Sequence, residues 1–212
     1  MPIGRWVLRE GCRHAQRLLA TMPGQTPTMS INLSLKQIHQ SDIVADVRDA
    51  LADSGLDPAR LTLEITETVL MADTELAVER LRQLKDLGVR LALDDFGTGY
   101  SSLSYLSKFP VDILKMDRSF LSAGASPEAS DLANAVVALG ATLDLEVVAE
   151  GIELPEQSDN LRELGCDLGQ GWYFSPAVDA ASVTELLLRP GRSTWPTRPG
   201  PRFWANDTRG VG

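Results

Sequence analysis

The sequence predicts an α/β fold, a TIM-like parallel (β/α) barrel, and three observations carry that expectation. Short apolar runs recur along the chain, each ends in a polar or charged residue, and helical periodicity fills most of the gaps between them. Six of the residues so delivered, Asn32, Glu64, Asp94, Lys115, Glu150 and Gln170, lie 32, 30, 21, 35 and 20 residues apart. Parallel strands are covered on both faces and therefore read as near-continuous apolar runs, as these do. In such a barrel the strand C-termini open on one face, so the delivered side chains are expected to converge in one bowl.

In chain order, residues 6–19 read as a helix, and the run at 29–34 delivers Asn32. A helix over 43–51 leads to an alternating strand at 61–67 that delivers Glu64 and then Glu67. A helix over 76–87 presents Arg80, Arg82 and Lys85 as a solvated face. Val89, Leu91, Ala92 and Leu93 form the next run, which stops at Asp94 and Asp95 and passes into a loop carrying Gly97 and Gly99. Residues 111–117 deliver Lys115 and Asp117, residues 145–153 deliver Glu150 and Glu153, and residues 166–172 deliver Gln170. Helices are expected at 132–143, 157–164 and 183–188. Trp6 and Trp172 read as packing residues, and Cys12 and Cys166 as buried free thiols.

The adjacent carboxylates of Asp94 and Asp95 are the most informative pair. At ~4 Å and an effective dielectric near 20, two like charges repel by about 4 kcal/mol. An acidic helix cap accounts for one of them. A divalent cation accounts for both. Carboxylates with an amide oxygen are hard donors suited to Mg²⁺ or Mn²⁺, and paired aspartates can bracket two ions, as in-line phosphodiester displacement requires. Lys115 adds a compact positive charge able to orient water or a phosphate oxygen. The reaction class read from these residues is metal-assisted hydrolysis of a phosphoester.

The segments Asn32-Leu33-Ser34, Leu63-Glu64-Ile65-Thr66-Glu67, Asp94-Asp95-Phe96-Gly97-Thr98-Gly99-Tyr100-Ser101-Ser102, Lys115-Met116-Asp117, Ala149-Glu150-Gly151-Ile152-Glu153 and Gln170-Gly171-Trp172 resemble, in order and spacing, the motifs of EAL domains. That family comprises bacterial phosphodiesterases that linearise cyclic di-GMP to pGpG. The resemblance implies Asn32, Glu64 and Asp94 as ligands of a first metal, and Asp94, Asp95 and Glu150 at a second. It implies Lys115 as the group that positions the attacking water, and Glu150 as base, ligand or both. Glu67 matches the glutamate that shapes the 94–102 loop, a region also implicated in homodimers. Asp117, Glu153 and Gln170 match further positions near the site, and Trp172 follows Gln170 closely enough that it could flank a base rather than pack.

One motif of the family does not occur in these 212 residues, the Glu-Ala-Leu tripeptide whose glutamate ligates the first metal. The resemblance begins downstream of it, so the expected fold is an incomplete barrel of about six βα units lacking the first two strands. A start assigned too far downstream, a truncated gene and a partner chain completing the barrel all account for this. Residues 1–188 are expected to form the partial EAL domain, and the Pro/Gly/Arg-rich residues 189–212 a disordered tail. Two functional readings follow: hydrolysis of cyclic di-GMP with Mg²⁺ or Mn²⁺, or an inactive remnant that binds the nucleotide or a protein partner.

Composition narrows the classes further. At 43% hydrophobic and 23% charged residues the chain is ordinary globular material. A net charge of −9 argues against electrostatic binding of long nucleic acid, though not against a small nucleotide brought in with cations. No apolar stretch reaches the ~20 residues of a membrane span. The composition fits a cytoplasmic enzyme domain.

Overall fold

The computed structural model of the protein describes residues 3–22, 27–39, 42–67, 74–97, 106, 108–121 and 127–188. The 94–102 loop beyond Gly97 and the tail at 189–212 lie outside the described residues. Helix α1 (Ile3–Thr21) precedes β1 (Met29–Leu33), a short α2 (Leu35–His39) and α3 (Ile43–Ser54). Strand β2 (Leu61–Thr66), α4 (Thr74–Lys85), β3 (Arg90–Phe96) and β4 (Ile113–Met116) follow. Then come α5 (Pro127–Leu143), β5 (Glu146–Ala149), α6 (Pro155–Glu163), β6 (Leu168–Gly169) and α7 (Ala180–Leu188).

The six strands pair in sequence order, every neighbouring pair parallel. They curl as an incomplete barrel with helices alternating between them. Side-chain alternation along each strand sorts the two faces. One face carries Ile31, Leu63, Leu91, Leu93, Leu114 and Val147, all buried against the helices. The other carries Glu64, Asp94 and Lys115, with Asn32 level with Glu64 on the neighbouring strand. The helices form where the sequence places an apolar stripe: α1 buries Leu8, Cys12 and Ala15, and α3 buries Ile43, Val47, Ala50 and Leu51. Helix α3 stops at Gly55, whose φ of 70° suits the left-handed cap from which its N–H reaches Leu51 O at 2.9 Å.

Both cysteines are buried and unbridged, as expected, and burial lifts each thiol to a pKa of about 11. Three expectations change. Trp6 and Trp172 do not pack inside: they are 57% and 74% exposed. Trp6 stands with Ile3 and Val7 over a groove of about 770 Å³ along the flank of β1, where no described strand adds a cover. Lys85 is not simply solvated, because its ammonium lies 2.7 Å and 2.8 Å from the two carboxylate oxygens of Asp112. Asp112 itself stands just ahead of β4, since its Oδ2 accepts from the backbone N–H of Leu91 at 2.8 Å. Among the described residues no helix is long and apolar enough to cross a membrane.

Candidate active site

Five of the residues singled out by the sequence meet at the C-terminal ends of β2, β3, β4 and β5. Lys115, 6% exposed on β4, reaches Glu64 Oε2 at 2.8 Å, Asp94 Oδ1 at 2.9 Å and Glu150 Oε1 at 2.7 Å. Strand β3 supplies two side chains to the mouth and the other three one each, and the parallel register aligns them: Glu64 stands beside Ala92, Thr66 beside Asp94, and the Glu150 N–H donates to Met116 O at 3.0 Å. Burial disfavours the Lys115 charge, yet hydrogen bonds to Glu150, Glu64 and Asp94 outweigh it and hold the ammonium above its ordinary pKa.

Asp95 joins this group through a local break in the strand. Alternation alone would send consecutive residues to opposite faces. The pairing of β3 with β4 slips between Leu93 and Phe96, and Asp95 adopts φ 56°, a left-handed conformation that aspartate tolerates better than most residues. Carboxylate oxygens of Asp94, Asp95 and Glu150 consequently lie within 4.8 Å of one another. Burial and then repulsion from Asp94 and Asp117 raise the Asp95 pKa, with Lys115 opposing. Burial also raises Glu150, against the hydrogen bond from Lys115.

The remaining candidates differ in burial and in what holds them. Asn32 is exposed at the end of β1, level with Glu64 and about one strand spacing (~4.8 Å) away along the sheet. It lines the groove beside α1. Glu67 is 7% exposed just past β2. Asp117 caps the turn after β4, its Oδ1 accepting from Ser119 N–H at 2.9 Å. Burial opposes its charge, but hydrogen bonds from Ser119 and the Arg118 backbone outweigh that and lower its pKa. Glu153 and Gln170 are exposed, and Gln170 is fixed through its backbone, its N–H on Ala149 O at 2.8 Å and its carbonyl accepting from Ile152 N–H at 3.0 Å.

Two positions were not anticipated. Gln157 in the first turn of α6 bonds to the backbone of the loop after β5 and of the turn after β4, and Phe120 lies against Gly97. Proline at the first helical position and glutamine at the third give Gln157 a local helix-start signature, whereas its reach to Leu121 depends on tertiary placement.

Four carboxylates around one ammonium leave a net negative bowl of hard oxygen donors, and the three clustered ones suit a divalent cation. An unscreened phosphodiester would be repelled from it, so the same donor set that invites a cation also calls for one before an anion can enter.

Residues 1–177 match the EAL domain family. The chain is 42% identical over 183 residues to the cyclic di-GMP phosphodiesterase NbdA of Pseudomonas aeruginosa, covering 86% of this chain and 23% of that protein. It thus spans about a quarter of the length of that curated relative. Among solved structures it superposes on the PaMucR phosphodiesterase in complex with c-di-GMP with a TM-score of 0.81 and 39% identity, over 85% of this chain and 73% of that one. It also resembles the manganese/cyclic di-GMP complex of Klebsiella pneumoniae BlrP1, with a TM-score of 0.70 and 32% identity over 81% and 44% of the two chains. With six ordered motifs, a sequential parallel sheet and an acidic mouth built around Lys115, the chain belongs to the EAL domain family.

Proposed function

We propose that this chain binds cyclic di-GMP at the mouth of its sheet and hydrolyses one phosphodiester bond to give linear pGpG, with Mg²⁺ or Mn²⁺. The observation that carries the reading is the contact of one buried lysine with carboxylates from three different strands, with a fourth, Asp95, turned into the same space. Support comes from the relatives: NbdA is named a cyclic di-GMP phosphodiesterase, and the BlrP1 structure holds manganese with the nucleotide.

Asp94, Asp95 and Glu150 would hold the cation, with Glu64 and Asn32 on the adjoining strands completing a second position. A bound divalent cation supplies charge neutralisation at the phosphate and lowers the pKa of coordinated water. The rest falls to the chain. Lys115, its charge secured by three partners, points a fixed positive charge into a negative bowl and orients the water. Glu150, shifted towards its protonated form by burial, is suited to take a proton from that water. Water adds to phosphorus, the bond to the 3′ oxygen breaks, and that oxygen leaves with a proton. Gln170 and the exposed Trp172 would flank a base of the nucleotide. The nucleotide, a homodimer through the 94–102 region and a cytoplasmic setting all belong to this same proposal.

Replacement of Glu150 by alanine separates the steps. The variant is expected to retain nucleotide binding by calorimetry and to lose turnover by chromatography of the products; undiminished turnover removes Glu150 from the mechanism. A second reading has its own observation: no Glu-Ala-Leu tripeptide occurs in the 212 residues. On that reading the chain binds the nucleotide without cleaving it.

A further inference from the structure

The turn that follows β4 lies between the two loops that carry the acidic cluster. Asp117 caps it, and residues Arg118–Phe120 form one 3₁₀ turn. On one side the Phe120 ring occupies the space where a side chain on Gly97 would stand, two residues beyond Asp95. On the other, Arg118 lies where a side chain on Gly151 would stand, next to Glu150. Gly97 and Gly151 have φ of 96° and 70°, so both the missing Cβ and the left-handed backbone call for glycine there. The distance between the Asp94–Asp95 pair and Glu150 is therefore set in part by what holds this turn in place.

One side chain ties it down. Gln157 Oε1 accepts from the backbone N–H groups of Glu153 at 2.8 Å and Leu154 at 3.0 Å. Its Nε2 donates to Leu121 O at 3.1 Å, across 36 residues of sequence. Only one orientation of the amide satisfies all three bonds, because two backbone donors face one end and an acceptor faces the other. We propose that Gln157 is a positioning residue, a strap that joins the loop after β5 to the turn after β4 and so fixes Glu150 at cation-sharing distance from Asp94 and Asp95. The proposal rests on the reading of that cluster as a divalent-cation site.

Gln157→Glu tests it with little change in shape. A carboxylate still accepts from Glu153 and Leu154, but it faces Leu121 O with an oxygen and loses the strap. Gln157→Ala loses both halves. On the full chain, Mn²⁺ affinity is read by electron paramagnetic resonance titration, folding by thermal melts, and local opening by amide exchange without metal. Gln157→Glu is expected to melt within ~3 °C of the wild type. It should bind Mn²⁺ about 10-fold more weakly, the lower end of the loss when a direct partner of a metal ligand is removed, since Gln157 acts on Glu150 through the backbone, and exchange faster across residues 117–121. Gln157→Ala is expected to do the same and to melt lower. Wild-type Mn²⁺ affinity in Gln157→Glu overturns the proposal. If the wild-type chain itself binds no Mn²⁺, the cation-site reading fails; unchanged exchange at 117–121 in Gln157→Glu then overturns the strap on its own.

Discussion

Lys115 and Asp95 pull the stability of the site in opposite directions. Breaking a buried ion pair by removing one partner costs about 3–5 kcal/mol, because the other charge is left uncompensated. Lys115→Met leaves three carboxylates in that position. Urea denaturation of the metal-free protein is expected to show a loss in that range, with Mn²⁺ restoring part of it. The contribution of Lys115 has a defined pH window. Its folded pKa is raised above the unfolded one, so the stabilisation is fully present below the unfolded value of 10.5 and is lost as pH rises through the folded value. Glu150 and Asp95 are also raised, so they favour folding at acid pH and that contribution fades as pH climbs through their folded values. Asp95→Asn removes one of the crowded charges while keeping a residue that tolerates φ 56°. It should raise the melting temperature of the metal-free chain at neutral pH by about 1–3 °C and weaken Mn²⁺ binding. An unchanged Mn²⁺ affinity would remove Asp95 from the ligand set. At this scale the sequence was most legible where chemistry was local: two adjacent aspartates after an apolar run announce a charge problem by themselves. The partnership of Lys115 with three separate strands needed the parallel register, which the alternation of polar and apolar residues supplied.

Elements divide their labour between the two ends of the sheet. The site lies at the strand C-termini, and the opposite end is held by polar contacts with no part in it. Asp112 joins Lys85 at the end of α4 to the Leu91 N–H at the start of β3, and Arg90 reaches Glu146 at 3.1 Å across β4. Asp112→Ala leaves the Leu91 N–H without its acceptor, which costs about 1–3 kcal/mol. It should lower stability by that amount with Mn²⁺ affinity unchanged; a matching loss of affinity would show that the two ends are not independent. Helices and strands were legible because apolar periodicity marks burial, as in α1 and α3. Lys85 was not, since a basic residue in a helix's last turn looks the same from sequence whether it meets water or a buried aspartate. Gln157 escaped notice for a related reason: its local pattern is that of a helix start, and its second role appears only where Leu121 arrives.

At the scale of the molecule, the described residues form a curled parallel sheet with one face packed by helices and with Glu64, Asp94 and Lys115 on the other. Trp6 marks the difference between pattern and placement. An aromatic in an amphipathic helix suggests a core residue, yet α1 turns Leu8, Cys12 and Ala15 inward and leaves Trp6 over the flank of β1. On β1 itself Asn32 is exposed while Glu64, level with it, is 7% exposed. The net charge of −9 belongs to this scale as well. A body that repels anions and concentrates carboxylates at one mouth is expected to admit a cyclic dinucleotide only together with divalent cations. The most direct measurement is chromatography of cyclic di-GMP after incubation with the wild-type chain, in Mn²⁺ and in EDTA. pGpG is expected to accumulate in Mn²⁺ and not in EDTA. Cyclic di-GMP that stays intact in Mn²⁺ would rule out hydrolysis by this chain.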